Sequence, residues 1–390
     1  MKFATDLSKG ILGSADSAEL WTSSIAQIPD NVLTKPKVRI LVLACGHGTE
    51  AVIIARRMLA LGVSKAQVNQ AIWLIDKYRV FTNHAKLVYG FKNVITEDYL
   101  NWKSNMKFNV IVGNPPFQDS DSGNEKSNLY VEFARKSIEQ HLADDGHIIF
   151  LTPKTMLRKT KRYFSLVGQP GLKSVDFTAN EYFNVGVDIV AWHLQKDKNF
   201  SQVTVTNKDR TVTTIPAGEE IADAEELWLY RLVENMKNTP DKAFSYNNIG
   251  PQRSTTKTKE YCYKLKQNIA KKSVVYSKRE PYFYGKKKLL VSISLGYNQD
   301  NIVVDTSDYA EAYVCMDLTG VTPAQYDNIM SFLFNELFVA LVAKYRLIYK
   351  TGFANILVYL PKFDINKSYS TKDIKKFFKL TNAEVKKLYA

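Results

Sequence analysis

The sequence predicts an α/β protein: a doubly wound, mostly parallel sheet with helices on both faces, followed by a smaller mixed α+β domain. Three observations carry this expectation. Short apolar runs alternate with helix-period segments through the first half of the chain. Glycine, acidic and Asn-Pro residues gather directly after those runs, where open α/β sheets bind ligands. The excess positive charge collects in the second half. A chain of 390 residues exceeds the usual single domain. The reading assigns 1–200 to the sheet domain, 201–240 to a connecting segment and 241–390 to a basic domain with a helical tail.

The strands follow in order. Lys37 to Cys45 is apolar and ends at Gly46-His47-Gly48, with a helix-period segment from Glu50 to Leu61 after it. Ala71 to Asp76 is the second strand. Asn93 to Ile95 is the third, ending near Asp98. Phe108 to Gly113, His147 to Thr152 and Asp188 to Gln195 complete the set. The polar runs Gln202 to Thr206 and Thr211 to Ile215, with an acidic helix from Glu219 to Glu234, read as a connection off the sheet. Farther on, Tyr326 to Lys350 reads as an apolar helical stretch and Phe353 to Pro361 as a buried strand. From Ser370 to Leu388 come two short helices, with Asn382 as an N-cap.

The residues after each strand carry the chemistry. In Ala44-Cys45-Gly46-His47-Gly48-Thr49-Glu50, two glycines let the backbone turn tightly and approach a ligand at a helix N-terminus. Asp76 is placed to accept hydrogen bonds from ribose hydroxyls; a helix N-cap is the alternative role. Asp98 can accept from an adenine amino group while Tyr99 stacks on the ring. The most specific run is Asn114-Pro115-Pro116-Phe117, with odds of chance occurrence on the order of 1% or less. The prolines fix the backbone and donate no N–H. The Asn114 side-chain oxygen and the Pro115 carbonyl can then point at one amino group. An aromatic amine has its lone pair delocalised into the ring. Two acceptors holding its hydrogens localise that pair toward a methyl donor, and Phe117 offers a face for the base. This is positional and electrostatic catalysis.

These motifs together resemble the adenine-N6 DNA methyltransferases of restriction-modification systems, in the group with cofactor motifs first, the catalytic motif next and target recognition last. The match runs motif by motif over roughly 15 to 195. The resemblance implies a Rossmann-like methyltransferase sheet and S-adenosylmethionine as cofactor. It implies cofactor contacts from Ala44, Cys45, Gly46, Gly48, Asp76, Asp98 and Tyr99, and catalysis by Asn114, Pro115, Pro116 and Phe117. The upstream motif that touches the methionine part maps onto Thr22, without the family's proline. Val42-Leu43 stands where the family often has Asp-Pro. In Glu181-Tyr182-Phe183-Asn184-Val185, Phe183 would pack the flipped base opposite Phe117, with Tyr182 the second choice.

Charge points to the partner. The chain carries +14 overall. Between Arg253 and Lys288 lie twelve Lys or Arg residues against two acids, Glu260 and Glu280. Tyrosines and Phe283 are interleaved with them. Basic and aromatic residues together suit a surface that tracks phosphates and wedges at bases. Arg253, Lys271, Lys272, Lys278, Arg279, Lys286, Lys287 and Lys288 are the candidate contacts to double-stranded DNA. An RNA adenine methyltransferase, a protein glutamine methyltransferase or a DNA-binding relative without catalysis remain open from the residues alone. Whether a cognate restriction enzyme accompanies the chain is open too. Cys45, Cys262 and Cys315 lie far apart, and no histidine pattern suits zinc, so no metal is expected. No apolar leader or stretch of about 18 apolar residues occurs, so neither signal peptide nor membrane span is expected. A cytoplasmic location, in a bacterial or phage-infected cell, is expected.

Overall fold

The computed structural model describes residues 17–117, 128–158, 164–183, 187–246, 253–266, 274–292, 297, 302–305, 313–349 and 353–389. The chain divides into two compact units, Met1–Ala224 and Glu225–Ala390.

The first unit begins with helices α1 (Ala18–Ala26) and α2 (Asp30–Leu33). Then come β1 (Ile40–Leu43), α3 (Thr49–Ala60), α4 (Lys65–Ala71), β2 (Ile72–Asp76), α5 (Arg79–Tyr89), β3 (Asn93–Thr96) and β4 (Phe108–Gly113). They are followed by α6 (Leu129–Lys136), β5 (Leu142–Pro153), β6 (Leu172–Asp176), β7 (Ile189–Gln195), β8 (Gln202–Thr206) and β9 (Val212–Pro216). Among the described residues, nine strands form one sheet in the order β3-β2-β1-β4-β5-β7-β6-β8-β9. Strands β3 to β5 are parallel, β7 runs antiparallel to β5, and β9 antiparallel to β8. The α/β class and the mostly parallel sheet are as the sequence indicates. Central strands bury both faces, so β1 reads Ile-Leu-Val-Leu with no polar alternation. Helix α4 starts with a capping box between Ser64 and Gln67, and α5 stops at Gly90 in the left-handed region.

The order reverses between β1 and β4: from β1 the chain steps to β2 on one side and later to β4 on the other. This is the switch point where a crevice opens at the strand carboxyl ends. Gly113 lies opposite Leu43 there. A Cβ on Gly113 would sit 2.9 Å from both the Leu43 Cβ and the Leu43 carbonyl oxygen. Gly113→Ala should therefore lower stability by roughly 1–3 kcal/mol, the usual cost of overpacking a tight core. Urea unfolding would measure it, and an unchanged midpoint would show that the strands separate freely.

A second buried feature spans β5 and β7. His147 Nδ1 and His193 Nε2 lie 2.9 Å apart, both nearly inaccessible. Burial lowers both histidines, with Lys173 adding to it and His147 adding further at His193; His147 falls to about 4. The folded state resists protons that the unfolded chain accepts from about pH 6.5 downward. Stability from the pair is thus complete above about 6.5 and is lost as pH falls toward about 4. His147→Gln should flatten the fall of the urea midpoint between pH 6.5 and 5. A slope equal to that of the wild type would remove the pair as its cause.

The 201–240 segment is not a connection. β8 and β9 extend the sheet, with Val203, Val205 and Ile215 buried, and the helix that follows them in the chain belongs to the second unit. Alternation of Val and polar residues in β8 covers one face of a sheet edge, which its polar composition hid.

The second unit holds α7 (Leu227–Asn238), β10 (Ser245–Tyr246), β11 (Arg253–Ser254), β12 (Tyr263–Lys266), β13 (Val274–Ser277), β14 (Lys288–Ser292), β15 (Ile302–Asp305) and β16 (Tyr313–Asp317). Its helices are α8 (Pro323–Leu333), α9 (Glu336–Tyr349), α10 (Thr371–Phe377) and α11 (Asn382–Tyr389). Its sheets read β10-β16-β14-β15 and β11-β13-β12. Phe332, stacked on Phe363 at 4.2 Å, and Phe338, stacked on Phe378 at 5.8 Å, centre an aromatic core. The single helical stretch expected at 326–350 is two helices; Asn335 Oδ1 accepts from the Leu337 N–H and starts the second. The strand expected at Phe353 to Pro361 is a 3₁₀ helix, Phe353–Tyr359. Ala354, Leu357 and Leu360 are buried at a spacing of three, a period that a short apolar run does not separate from a strand. The last cap is Thr381, not Asn382: its hydroxyl accepts from Glu384 N–H and Glu384 reaches back to it. No helix among the described residues is long and apolar enough to cross a membrane.

Candidate functional site

The loop after β1 and the turn after β4 leave the sheet side by side, because Leu43 pairs with Gly113. The loop is built from left-handed residues: Ala44 at φ 46°, Gly46 at 47° and Gly48 at 85°. Ala44 holds a conformation costly for a residue with a Cβ, which points to a constrained site. Three hydrogen bonds lock the loop. Cys45 N–H donates to the Ile75 carbonyl at 3.2 Å, Gly48 N–H to the Cys45 carbonyl at 2.7 Å, and Gly46 N–H to Asp76 Oδ2 at 3.0 Å. His47 lies edge-on to Phe81 and His84, which fastens the loop to α5.

Asp76 thus clamps the loop as well as ending β2. Its Oδ1 also accepts from Tyr78 N–H at 2.9 Å. Burial raises its pKa, and those two bonds and Lys77 oppose the rise. Glu50, buried in the first turn of α3, is pushed up to about 7 by burial, with Asp76 adding to it. Asp98 follows β3 half-buried, with Oδ1 accepting from Leu100 N–H at 2.9 Å.

Asn114 is half-buried at the end of β4, Pro115 is buried, and Phe117 packs partly against the core. The ring of Tyr130, on α6, meets Phe117 at 6.2 Å and 86°. Its hydroxyl bonds Thr155 Oγ1 at 2.8 Å. Tyr130 and Thr155 are absent from the sequence reading. The helical spacing of buried Tyr130, Phe133 and Ala134 was the signal that could have found the first. The ion pair of Lys154 with Asp188, which ties the turn after β5 to the start of β7, had no local signal.

Four expected contacts are corrected. Tyr99 is 3% exposed, its ring packed on Phe133, His141 and Trp102 and its hydroxyl on Ser137 Oγ at 2.9 Å. Its ring has no free face to stack on a ligand. Phe183 is 8% exposed within the main core, so it is core and not a base platform; its neighbour Tyr182 is only half-buried. Thr22 is exposed on α1 and its hydroxyl donates to the Ala18 carbonyl at 2.7 Å, a bond within the helix. Lys288 is fully buried and cannot reach a phosphate. The register of β14 sets Asp305 and Asp317 opposite it.

The other basic candidates divide. Lys271 and Lys272 lie outside the described residues, as does the Arg253 side chain. Lys278 pairs with Glu260 and lies 5.7 Å from the Tyr261 ring centroid. Arg279, Lys286 and Lys287 are exposed, as is Lys264. Tyr284 ties their turn to β12: its hydroxyl accepts from Lys264 N–H at 3.1 Å. A surface cavity of about 580 Å³ lies at the other end of the first sheet, lined by Lys35, Lys37, Arg39 and Met58 among others. It sits at the amino ends of β1 and β2, away from the strand ends that bind ligands in such folds.

Residues 46–183 match the family model of the Eco57I restriction-modification methylase. That span runs from the glycine loop to Phe183. The chain is 43% identical over 72 residues to "Modification methylase CviBIII" of Paramecium bursaria Chlorella virus NC1A, covering 16% of this chain and 19% of the relative. It is 34% identical over 77 residues to "Type II methyltransferase M.CvrRI" of Paramecium bursaria Chlorella virus XZ-6E, covering 17% and 20%. The matched segments span about a fifth of those relatives. Among solved structures, the type I restriction-modification methyltransferase subunit of Streptococcus thermophilus aligns with a TM-score of 0.40 and 17% identity, over 53% of this chain and 49% of that one. The resemblance carried by the motifs is therefore to restriction-modification methylases.

Proposed function

We propose that this chain transfers a methyl group from S-adenosylmethionine to N6 of an adenine flipped out of double-stranded DNA. One observation carries the reading: the Asn114-Pro115-Pro116-Phe117 turn stands beside the glycine loop at the switch point of the sheet.

The loop fits the cofactor. Nothing lies within 4 Å of where a Gly46 Cβ would be, so a ligand has room to approach that backbone. Asp76 at the end of β2 and Asp98 beyond the end of β3 are carboxylic side chains at the strand carboxyl ends, which suits a ligand with a sulfonium and an ammonium group. Asp76 keeps lone pairs for a ribose hydroxyl beyond its two backbone bonds. Asp98 would take the adenine amine. When bound, the cofactor supplies the methyl group.

The chain's own residues prepare the acceptor. Asn114 Oδ1 and the Pro115 carbonyl accept the two N–H bonds of the target amine and localise its lone pair. Phe117 stacks on the base and offsets part of the few kcal/mol that flipping costs. The amine nitrogen would take the methyl as the methyl's bond to the sulfonium sulfur breaks, leaving a neutral thioether, and would release one proton to solvent, with no covalent enzyme intermediate. The exposed cations of the second unit hold the DNA backbone.

Incubation with mixed-sequence duplex DNA, RNA and labelled cofactor, followed by mapping of modified bases, tests this. N6-methyladenine in DNA is the expected product. Label confined to RNA, or on another DNA base, would overturn it.

A further inference from the structure

We infer that Tyr130 is a positioning residue for the catalytic turn: its ring, set edge-on against Phe117 and anchored to Thr155, fixes the plane in which Phe117 meets the target base. The inference rests on the function proposed above.

The argument starts from topology. Gly113 at the end of β4 pairs with Phe150 of β5, so Phe117 and Thr155 both lie just beyond the carboxyl ends of neighbouring strands. Helix α6 lies between β4 and β5 in the chain, and Tyr130 stands in its first turn. Its ring meets Phe117 at 86° and its hydroxyl meets Thr155 Oγ1 at 2.8 Å. Tyr130 therefore braces the turn after one strand against the turn after the next.

Phe117 needs such a brace. It is half-buried and follows two prolines that fix the backbone but leave the ring's own torsions free. A stacking platform works only in one plane. Perpendicular ring contact is directional, because the positive ring edge prefers the negative face of its neighbour. A leucine would keep an apolar side chain there without that preference. Tyr130 is 6% exposed, so it acts through Phe117 and not on the base. A buried phenol needs a partner for its hydroxyl, and Thr155 supplies one that also stops the Tyr130 ring from turning.

The test uses two duplexes: the one whose modified adenine has been mapped, for kcat and KM, and the same duplex with 2-aminopurine in place of that adenine, which has no N6 amine to methylate, for the fluorescence of flipping. Tyr130→Leu should lower both the fluorescence increase and kcat by roughly three- to ten-fold, the range expected for one aromatic pair, with KM for DNA and cofactor affinity unchanged. Tyr130→Phe keeps the ring and should restore most of both signals. Thr155→Val, which leaves Tyr130 intact, should lower them by about two-fold and keeps the inference testable if Tyr130→Leu does not fold. Wild-type fluorescence and kcat in Tyr130→Leu, or in Thr155→Val should the first not fold, overturn the inference. So does an equal fall in Tyr130→Leu and Tyr130→Phe accompanied by lost cofactor affinity, since that is general packing. Absence of any fluorescence change in the wild type would instead remove the base-stacking role of Phe117, and so the reading beneath.

Discussion

Asn114→Ala is expected to lose methyl transfer by about 100-fold or more while binding S-adenosylmethionine nearly as the wild type does. The size follows from losing a group that acts mainly in the transition state, which typically costs 100- to 1,000-fold. On the proposed function the target amine has its lone pair tied into the ring, and the side-chain oxygen of Asn114 would be one of the two acceptors that free it. Alanine leaves the Pro115 carbonyl alone with two N–H bonds to hold. The cofactor loop should keep its shape, because the backbone bonds of Cys45 to Ile75, Gly48 to Cys45 and Gly46 to Asp76 remain in the variant. Single-turnover kinetics with saturating DNA, beside calorimetry of cofactor binding, separates the two effects. A variant with near-normal turnover would remove the turn from catalysis. Equal losses of turnover and cofactor affinity would mean a distorted strand end.

How much of this was legible in the sequence depends on whether a residue's role is local. The glycine loop and the Asn114 turn are local: glycine adopts positive φ freely at Gly46 and Gly48, and proline fixes its own backbone, so these conformations are written in neighbouring residues, that of Ala44 excepted. Their strand-end positions follow from periodicity. What was not legible is which way a side chain faces. Tyr99 follows a strand-end acid, yet Ser137 and Phe133, from an element about 35 residues away, claim its hydroxyl and ring. Phe183 has the composition of a platform and the burial of core. Tyr130 escaped notice because its two partners, Phe117 and Thr155, are brought to it only by the pairing of β4 with β5. The charge count between Arg253 and Lys288 was right as a sum and wrong at one end. Lys288 opens β14, paired between β15 and β16, and is fully buried there.

That correction sharpens the largest expected effect on DNA binding. The residues to change are Lys264, Arg279, Lys286 and Lys287, all exposed, with Lys264 N–H bonded to the Tyr284 hydroxyl. Each phosphate neutralised releases condensed counterions, so the logarithm of affinity falls with the logarithm of salt by about 0.9 per contact. If all four touch phosphates, changing them to Gln should shallow the slope by about 3.6. At 0.15 M salt that corresponds to a loss of roughly 1,000-fold in affinity. The loss should be nearly equal on unrelated duplexes, because phosphate contacts orient the protein without reading bases. Lys288→Gln behaves differently on this argument. It touches no phosphate, so the slope stays as in the wild type while stability falls, because a buried cation among the acids opposite it is removed. A salt titration of the wild type, the quadruple variant and Lys288→Gln on two duplexes tests both halves. An unmoved slope in the quadruple variant means that these cations only face solvent. A slope that shallows for Lys288→Gln would mean that its burial does not hold in solution.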